Sequence, residues 1–243
     1  MPDFAESTLW RISAFERVRA DGGLADAGPS LLSSTLMTDL RRLQHDRQND
    51  DALEVIAACL RHREPALLYL GLGALVWPVT LFPQERLYHS PRAAEELGSV
   101  GPMAQLRLLN AERPGLRPPG HIARERVGAE HKYHPLSGLT WTVALYGPRS
   151  ELLQEIGGRS AYRLAPGRAE DLSHAPGALA PAVQKLRQAS VALRDIARWP
   201  GMSVERSSRL LNALYLDGAL MVTRSHPAAR DEPQGWWARR RGG

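Results

Sequence analysis

Glu130, His131, Tyr133 and His134 place two imidazoles three residues apart beside a carboxylate, with His121 ten residues upstream of the first. Such side chains can bind transition metals or move protons. A helical zinc-protease pattern needs His-Glu-x-x-His on an unbroken helix, whereas Pro135 follows His134 directly. The stretch therefore predicts a solvated loop or the start of a strand. Cys59 is the single cysteine and sits in an amphipathic run among alanines and leucine, where a small buried thiol is the expectation. Gly71-Leu72-Gly73 lacks the third glycine of a dinucleotide fingerprint and runs into Val76-Trp77-Pro78 rather than a helix, so it predicts a β-turn or bulge. Neither a Gly-x-x-x-x-Gly-Lys-Ser/Thr phosphate loop nor a serine nucleophile elbow occurs. No catalytic residue, cofactor or metal is predicted, and the chain reads as a non-enzyme.

Composition narrows the class further. The 243 residues, 43% hydrophobic and 23% charged, are typical of a folded protein and allow one large core or two smaller ones. A net charge of +5 permits attraction to nucleic acid, anionic lipid or an acidic protein, but acids and bases are interspersed rather than blocked. Of the 31 basic residues only Lys132 and Lys185 are lysine, a bias that fits a GC-rich bacterial genome. One cysteine excludes an intramolecular disulfide and fits a reducing cytoplasm. The N-terminus lacks the basic and apolar regions of a secretory signal, and the apolar run from Ala66 to Phe82 is broken by Gly71, Gly73 and Pro78.

Along the chain, Ser7–Arg19 fits helix and strand templates, with the alternation of Trp10, Ile12, Ala14 and Val18 favouring a strand. Ser33 or Ser34 caps a predicted helix through Leu40 and Leu43. Asn49 and Asp50 are the predicted caps of a second, with Leu53, Ile56, Ala57 and Leu60 on one face. Ala66–Tyr88 reads as two or three short strands, with Pro78 at an edge or bulge. A helix is predicted from Pro91, and a short helix or strand over Met103–Asn110. Leu139–Tyr146 is predicted as a strand, Ser150–Ile156 as a helix stopped by Gly157, and Ser160–Leu164 as a strand. Domains follow as an α+β body over residues 1–165 with a mixed or antiparallel sheet, a linker at 166–177, a compact module at 178–226, and a tail at 227–243.

The module is the best-specified stretch. Leu193, Ile196 and Ala197 form the inner face of a short helix, Pro200-Gly201 breaks it, and Ser203 caps a second helix burying Val204, Leu211, Leu214 and Tyr215. Asp217-Gly218 ends that helix before an apolar strand from Ala219. Ile196-Ala197, Gly201, and Gly218 with Leu220-Met221 match positions characteristic of the bacterial winged helix-turn-helix superfamily, which this stretch of about 50 residues resembles. The resemblance implies that a DNA-reading version would place the second helix in the major groove. Ser203, Glu205, Arg206, Ser208, Arg209 and Asn212 would then meet bases and phosphates, with Arg224 on the wing. Leu210 and Leu216, however, widen the apolar part of the helix beyond what a groove-facing helix needs, which favours packing on protein. The layout of a mixed body followed by such a module also resembles PATAN-type signalling proteins, which act through protein contacts.

The tail pairs Trp236-Trp237 with Arg239-Arg240-Arg241, a combination suited to an acidic partner, nucleic acid or a membrane surface. The expectation is a bacterial regulatory or adaptor protein with a protein partner, the alternative being a DNA-binding regulator.

Overall fold

In the computed structural model, the described residues are 9–21, 32–45, 51–99, 103–167 and 175–229. They form an α+β protein with two antiparallel sheets, and the chain divides into two compact units, Met1–Arg149 and Ser150–Gly243.

In the first unit the sheet has the order β5-β2-β3-β4-β6, with β1 also on β3. The strands are β1 (Trp10–Arg11), β2 (Ala66–Leu72), β3 (Leu75–Phe82), β4 (Leu87–His89), β5 (Arg107–Glu112) and β6 (Tyr133–Pro135). Its centre is the hairpin of β2 and β3, with Leu68 opposite Val79 and Leu70 opposite Trp77. Gly73, at φ +60°, supplies the left-handed residue of the turn between them. β3 is central, not an edge. Its far side pairs with β1 at residues 75–76 and with β4 at residues 80–82, and Pro78 lies opposite the gap between these partners. A residue without an amide proton costs the ladder nothing on that side.

The helices of this unit are α1 (Ile12–Ala20), α2 (Ser34–His45), α3 (Ala52–His62) and α4 (Leu136–Tyr146). At the N-terminus, among the described residues of the strand predicted over Ser7–Arg19, only the two of β1 are extended. Burial of Phe15 beside Tyr69, ring centroids 5.0 Å apart, turns the rest into helix. For α3 the cap is Asp51, one residue past the predicted pair, and its Oδ1 accepts from the amides of Leu53 and Glu54 at 3.0 and 3.3 Å. The largest correction is α4, predicted as a strand. Nearly all of it is buried, so it is apolar all round and its alternation is uninformative. Thr140 satisfies its hydroxyl by donating to the Ser137 carbonyl at 3.1 Å. The helix predicted from Pro91 is a 3-10 segment, Ala94–Ser99, and Met103–Asn110 divides into a 3-10 turn and β5.

The second unit contains β7 (Ala161–Leu164), α5 (Ala180–Gln188), β8 (Val191–Ala192), α6 (Leu193–Ile196), α7 (Val204–Leu216) and β9 (Leu220–Thr223). Its sheet order is β8-β7-β9. β7 lies within the predicted body at 1–165, yet it is the central strand here, so the division falls at residues 149–150 instead. A four-residue strand depends on its neighbours, and both of its neighbours lie in this unit. Residues 150–157 form turns rather than the predicted helix, with Gly157 donating to the Leu153 carbonyl at 3.0 Å. Among the described residues no helix is long and apolar enough to cross a membrane.

Candidate functional site

Two helices joined by a turn form the candidate site. Short α6 ends at Ile196, and the amides of Trp199 and Met202 donate to the carbonyls of Ile196 and Trp199 at 3.1 and 3.0 Å. Gly201, at φ +74°, reverses the chain at low steric cost. The Lys185 ammonium of α5 lies 5.0 Å from the centre of the Trp199 ring, a cation–π contact from α5 to the turn. Ser203 then caps α7 as expected, its Oγ accepting the Arg206 amide at 3.1 Å. At the other end Gly218 and Ala219 donate to the carbonyls of Tyr215 and Leu214 at 2.9 and 2.8 Å, which closes the helix after Asp217.

Burial along α7 departs from the predicted pattern. Ser203, Glu205 and Arg206 are exposed, and Arg209 is half-buried with its Nε donating to Glu205 Oε1 at 3.0 Å. Ser208, Asn212 and Leu216, spaced four residues apart on one face, are 1%, 0% and 6% exposed. Asn212 explains much of this. Its Oδ1 accepts the Leu153 amide at 2.9 Å, and its Nδ2 donates to the Glu151 carbonyl at 2.8 Å. Residues 151 and 153 thus lie against α7 at Asn212, while its first turn, with Ser203, Glu205 and Arg206, stays exposed. Ser208, Asn212 and Leu216 must be withdrawn as surface contacts. Val204 is also corrected: it is 60% exposed at the first helical position, although the apolar stripe predicts it buried.

Arg224 follows β9, and its guanidinium donates to the Glu155 carbonyl at 3.1 Å. β9 pairs with upstream β7, and no strand follows it among the described residues. Trp236 and Trp237 lie outside the described residues.

The histidine stretch of the first unit is divided by the pleat of its sheet. Tyr88 pairs with His134, and His89 with Tyr133, so His134 and His89 occupy opposite faces. Their rings pack on Tyr88 and Tyr133 with centroids 5.1 and 4.9 Å apart. Glu130 and His131 are exposed, and His121 Nδ1 accepts the Ala123 amide at 3.0 Å. No group of three His, Cys, Asp or Glu residues suited to a metal occurs among the described residues.

Two titrating residues escape sequence inspection. His89 is 4% exposed, and burial, followed by the Lys132 charge and the neighbouring histidines, pushes its pKa down to about 4. Glu112 is 3% exposed, and burial raises its carboxyl to about 7 against the opposing effects of the Tyr69 hydrogen bond and the Arg19 charge. Tyr69 Oη and Asn110 Nδ2 donate to the Glu112 oxygens at 3.5 and 2.7 Å. Glu112 follows a bulge in the β2–β5 pairing, and only three-dimensional contact with Tyr69, 43 residues away, identifies its environment. Cys59 is fully buried and its thiol is pushed up to about 12, chiefly by desolvation.

No protein-family model, curated protein or solved structure matches this chain.

Proposed function

We propose that this chain is a non-enzymatic bacterial regulatory or adaptor protein of the cytoplasm, acting through protein–protein contacts. The stretch resembling a winged helix serves in this reading as a docking module rather than a reader of bases. The observation that carries it is the pair of hydrogen bonds from Asn212 to residues 151 and 153. They hold the chain's own backbone against the part of α7 that carries Asn212, a side chain that a DNA-reading version would turn towards bases. What remains open on α7 is its first turn, where Val204 stands between Ser203 and the charged pair Glu205 and Arg206. An apolar side chain with a charged surround is the usual anatomy of a protein contact.

Binding of the purified chain to duplex DNA as a function of salt tests this reading against the DNA-binding alternative. A regulator contacting several phosphates binds at low salt, loses affinity steeply as salt rises, and weakens on Arg206→Ala. The docking reading expects no such binding. It also expects a photo-cross-linker at Val204 to capture a protein in cells, with capture suppressed by Arg206→Glu. DNA binding that depends on Arg206 overturns the proposal.

A further inference from the structure

The chain between β5 and β6, residues 113–132, is a long connection held in place without regular strands or α-helices. Connections of this length in a compact unit are usually functional when they are ordered. Its base is fixed by Tyr133, whose hydroxyl accepts the Gly128 amide at 2.9 Å and donates to the Arg117 carbonyl at 2.5 Å. The Arg117 amide donates across the loop to the Arg126 carbonyl at 2.9 Å. Pro118 and Pro119 restrict the backbone, and Gly120, at φ +82°, turns it. The shape is therefore set before any partner arrives, which lowers the ordering cost of binding.

This loop presents Ile122, 97% exposed, with Arg124 and Arg126 exposed beside it. None of Arg113, Arg117, Arg124 and Arg126 forms an ion pair among the described residues. One exposed aliphatic residue is ordinary. An aliphatic residue beside unpaired guanidinium groups on a pinned loop is a complementary half of an interface: a small apolar anchor with a cationic rim. We infer that the 113–132 loop docks Ile122 into an apolar socket rimmed by carboxylates on a partner protein.

Charge order selects a protein over the other anionic surfaces. Glu125 stands exposed between Arg124 and Arg126, and Glu130 is exposed further along the loop. A phosphate backbone or an anionic bilayer presents negative charge throughout and repels these carboxylates, whereas discrete charges on a protein can alternate to match them. The inference uses only the first unit, so it stands even if the second unit binds DNA through Arg206.

The test places benzoylphenylalanine at position 122 of the full chain, irradiated in the bacterium that encodes it. The expected adduct is with a different protein, and the cross-linked surface carries Asp or Glu around an apolar site. Arg124→Glu combined with Arg126→Glu lowers adduct yield about tenfold, and lysine at the same two positions retains most of it. Far-UV circular dichroism verifies that each variant is folded. Absence of an adduct, an adduct only with a second copy of this chain, or an adduct insensitive to charge reversal overturns the inference. So does binding of the purified chain to phosphatidylglycerol vesicles or duplex DNA that Ile122→Ser abolishes while Arg206→Ala leaves it unchanged.

Discussion

Asn212 holds the Leu153 backbone: its side-chain oxygen accepts the Leu153 amide at 2.9 Å, and its amide group reaches the Glu151 carbonyl at 2.8 Å. The helix position that a groove reader would devote to a base is occupied by two hydrogen bonds within the second unit. In a residue 0% exposed, those bonds are structural and cannot be exchanged for contacts to a ligand without opening the unit.

Asn212→Ala leaves the buried Leu153 amide and the part-buried Glu151 carbonyl without their partner. The expected cost is about 2–4 kcal/mol. Hydrogen exchange at the Leu153 amide reports it directly, because its protection falls when the acceptor is removed. Unchanged protection at Leu153, with an unchanged denaturation midpoint, rules out this pinning role.

Glu112 and His89 give the first unit two opposed pH dependences. The raised carboxyl of Glu112 binds its proton more tightly when folded, so its stabilisation is fully present below the ordinary value of 4.5 and is lost as pH rises through about 7. The depressed imidazole of His89 acts the other way. Its contribution is present above the ordinary 6.5 and is lost as pH falls through about 4. The windows overlap between 4.5 and 6.5, where the slopes offset each other. Glu112→Gln exposes the histidine slope, so that variant loses stability as pH falls. His89→Phe exposes the carboxylate slope, and that variant loses stability as pH rises. Urea midpoints measured across this range decide the matter, and parallel profiles in both variants contradict the assignment.

Sequence patterning reached the elements whose signals are local and missed those decided by distant contacts. The hairpin of β2 and β3, α3, and the turn from Gly201 into the Ser203 cap follow from apolar spacing, glycine and capping chemistry close to each residue. α4 fails because Thr140, Trp141, Thr142 and Val143 favour strands locally, while burial on every side removes the periodicity that distinguishes helix from strand. At the candidate site Ser203, Glu205 and Arg206 are legible as exposed, since they form a capped first turn. The burial of Ser208, Asn212 and Leu216 is not; for Asn212 the bonded segment comes from about 60 residues upstream, and a polar side chain gives no sign of such cover.

Arg149 forms a buried cluster with Asp51 and Glu54. Its guanidinium contacts Asp51 Oδ2 and reaches Glu54 Oε1 at 2.8 Å, while Asp51 Oδ1 caps α3. Arg149→Met leaves two carboxylates near each other in a site where the Glu54 side chain is only 6% exposed. The expected loss is about 3–5 kcal/mol near neutral pH. Adding Asp51→Asn and Glu54→Gln to Arg149→Met removes the uncompensated charge and recovers part of the loss. A double-mutant cycle in urea measures the coupling. Additive effects of the charge and carboxamide substitutions contradict it.

Val204 and Leu216 lie on the same helix, yet aspartate has opposite consequences at the two positions. Val204 is 60% exposed beside the Ser203 cap, and a carboxylate in the first turn interacts favourably with the positive end of α7. Val204→Asp is expected to leave stability within about 0.5 kcal/mol of the parent. Leu216 is 6% exposed in the last turn, where an aspartate both buries a charge and opposes the negative end of the helix. Leu216→Asp should therefore destabilise the second unit by more than about 3 kcal/mol. For this reason Leu216→Asp cannot probe docking: a lost interaction would follow from lost structure. Val204→Asp separates the two, because a folded chain that no longer engages its partner locates the contact on the first turn of α7. Equal midpoints for the two variants contradict the burial pattern of the helix, and full partner engagement by a folded Val204→Asp chain removes this turn from the docking surface.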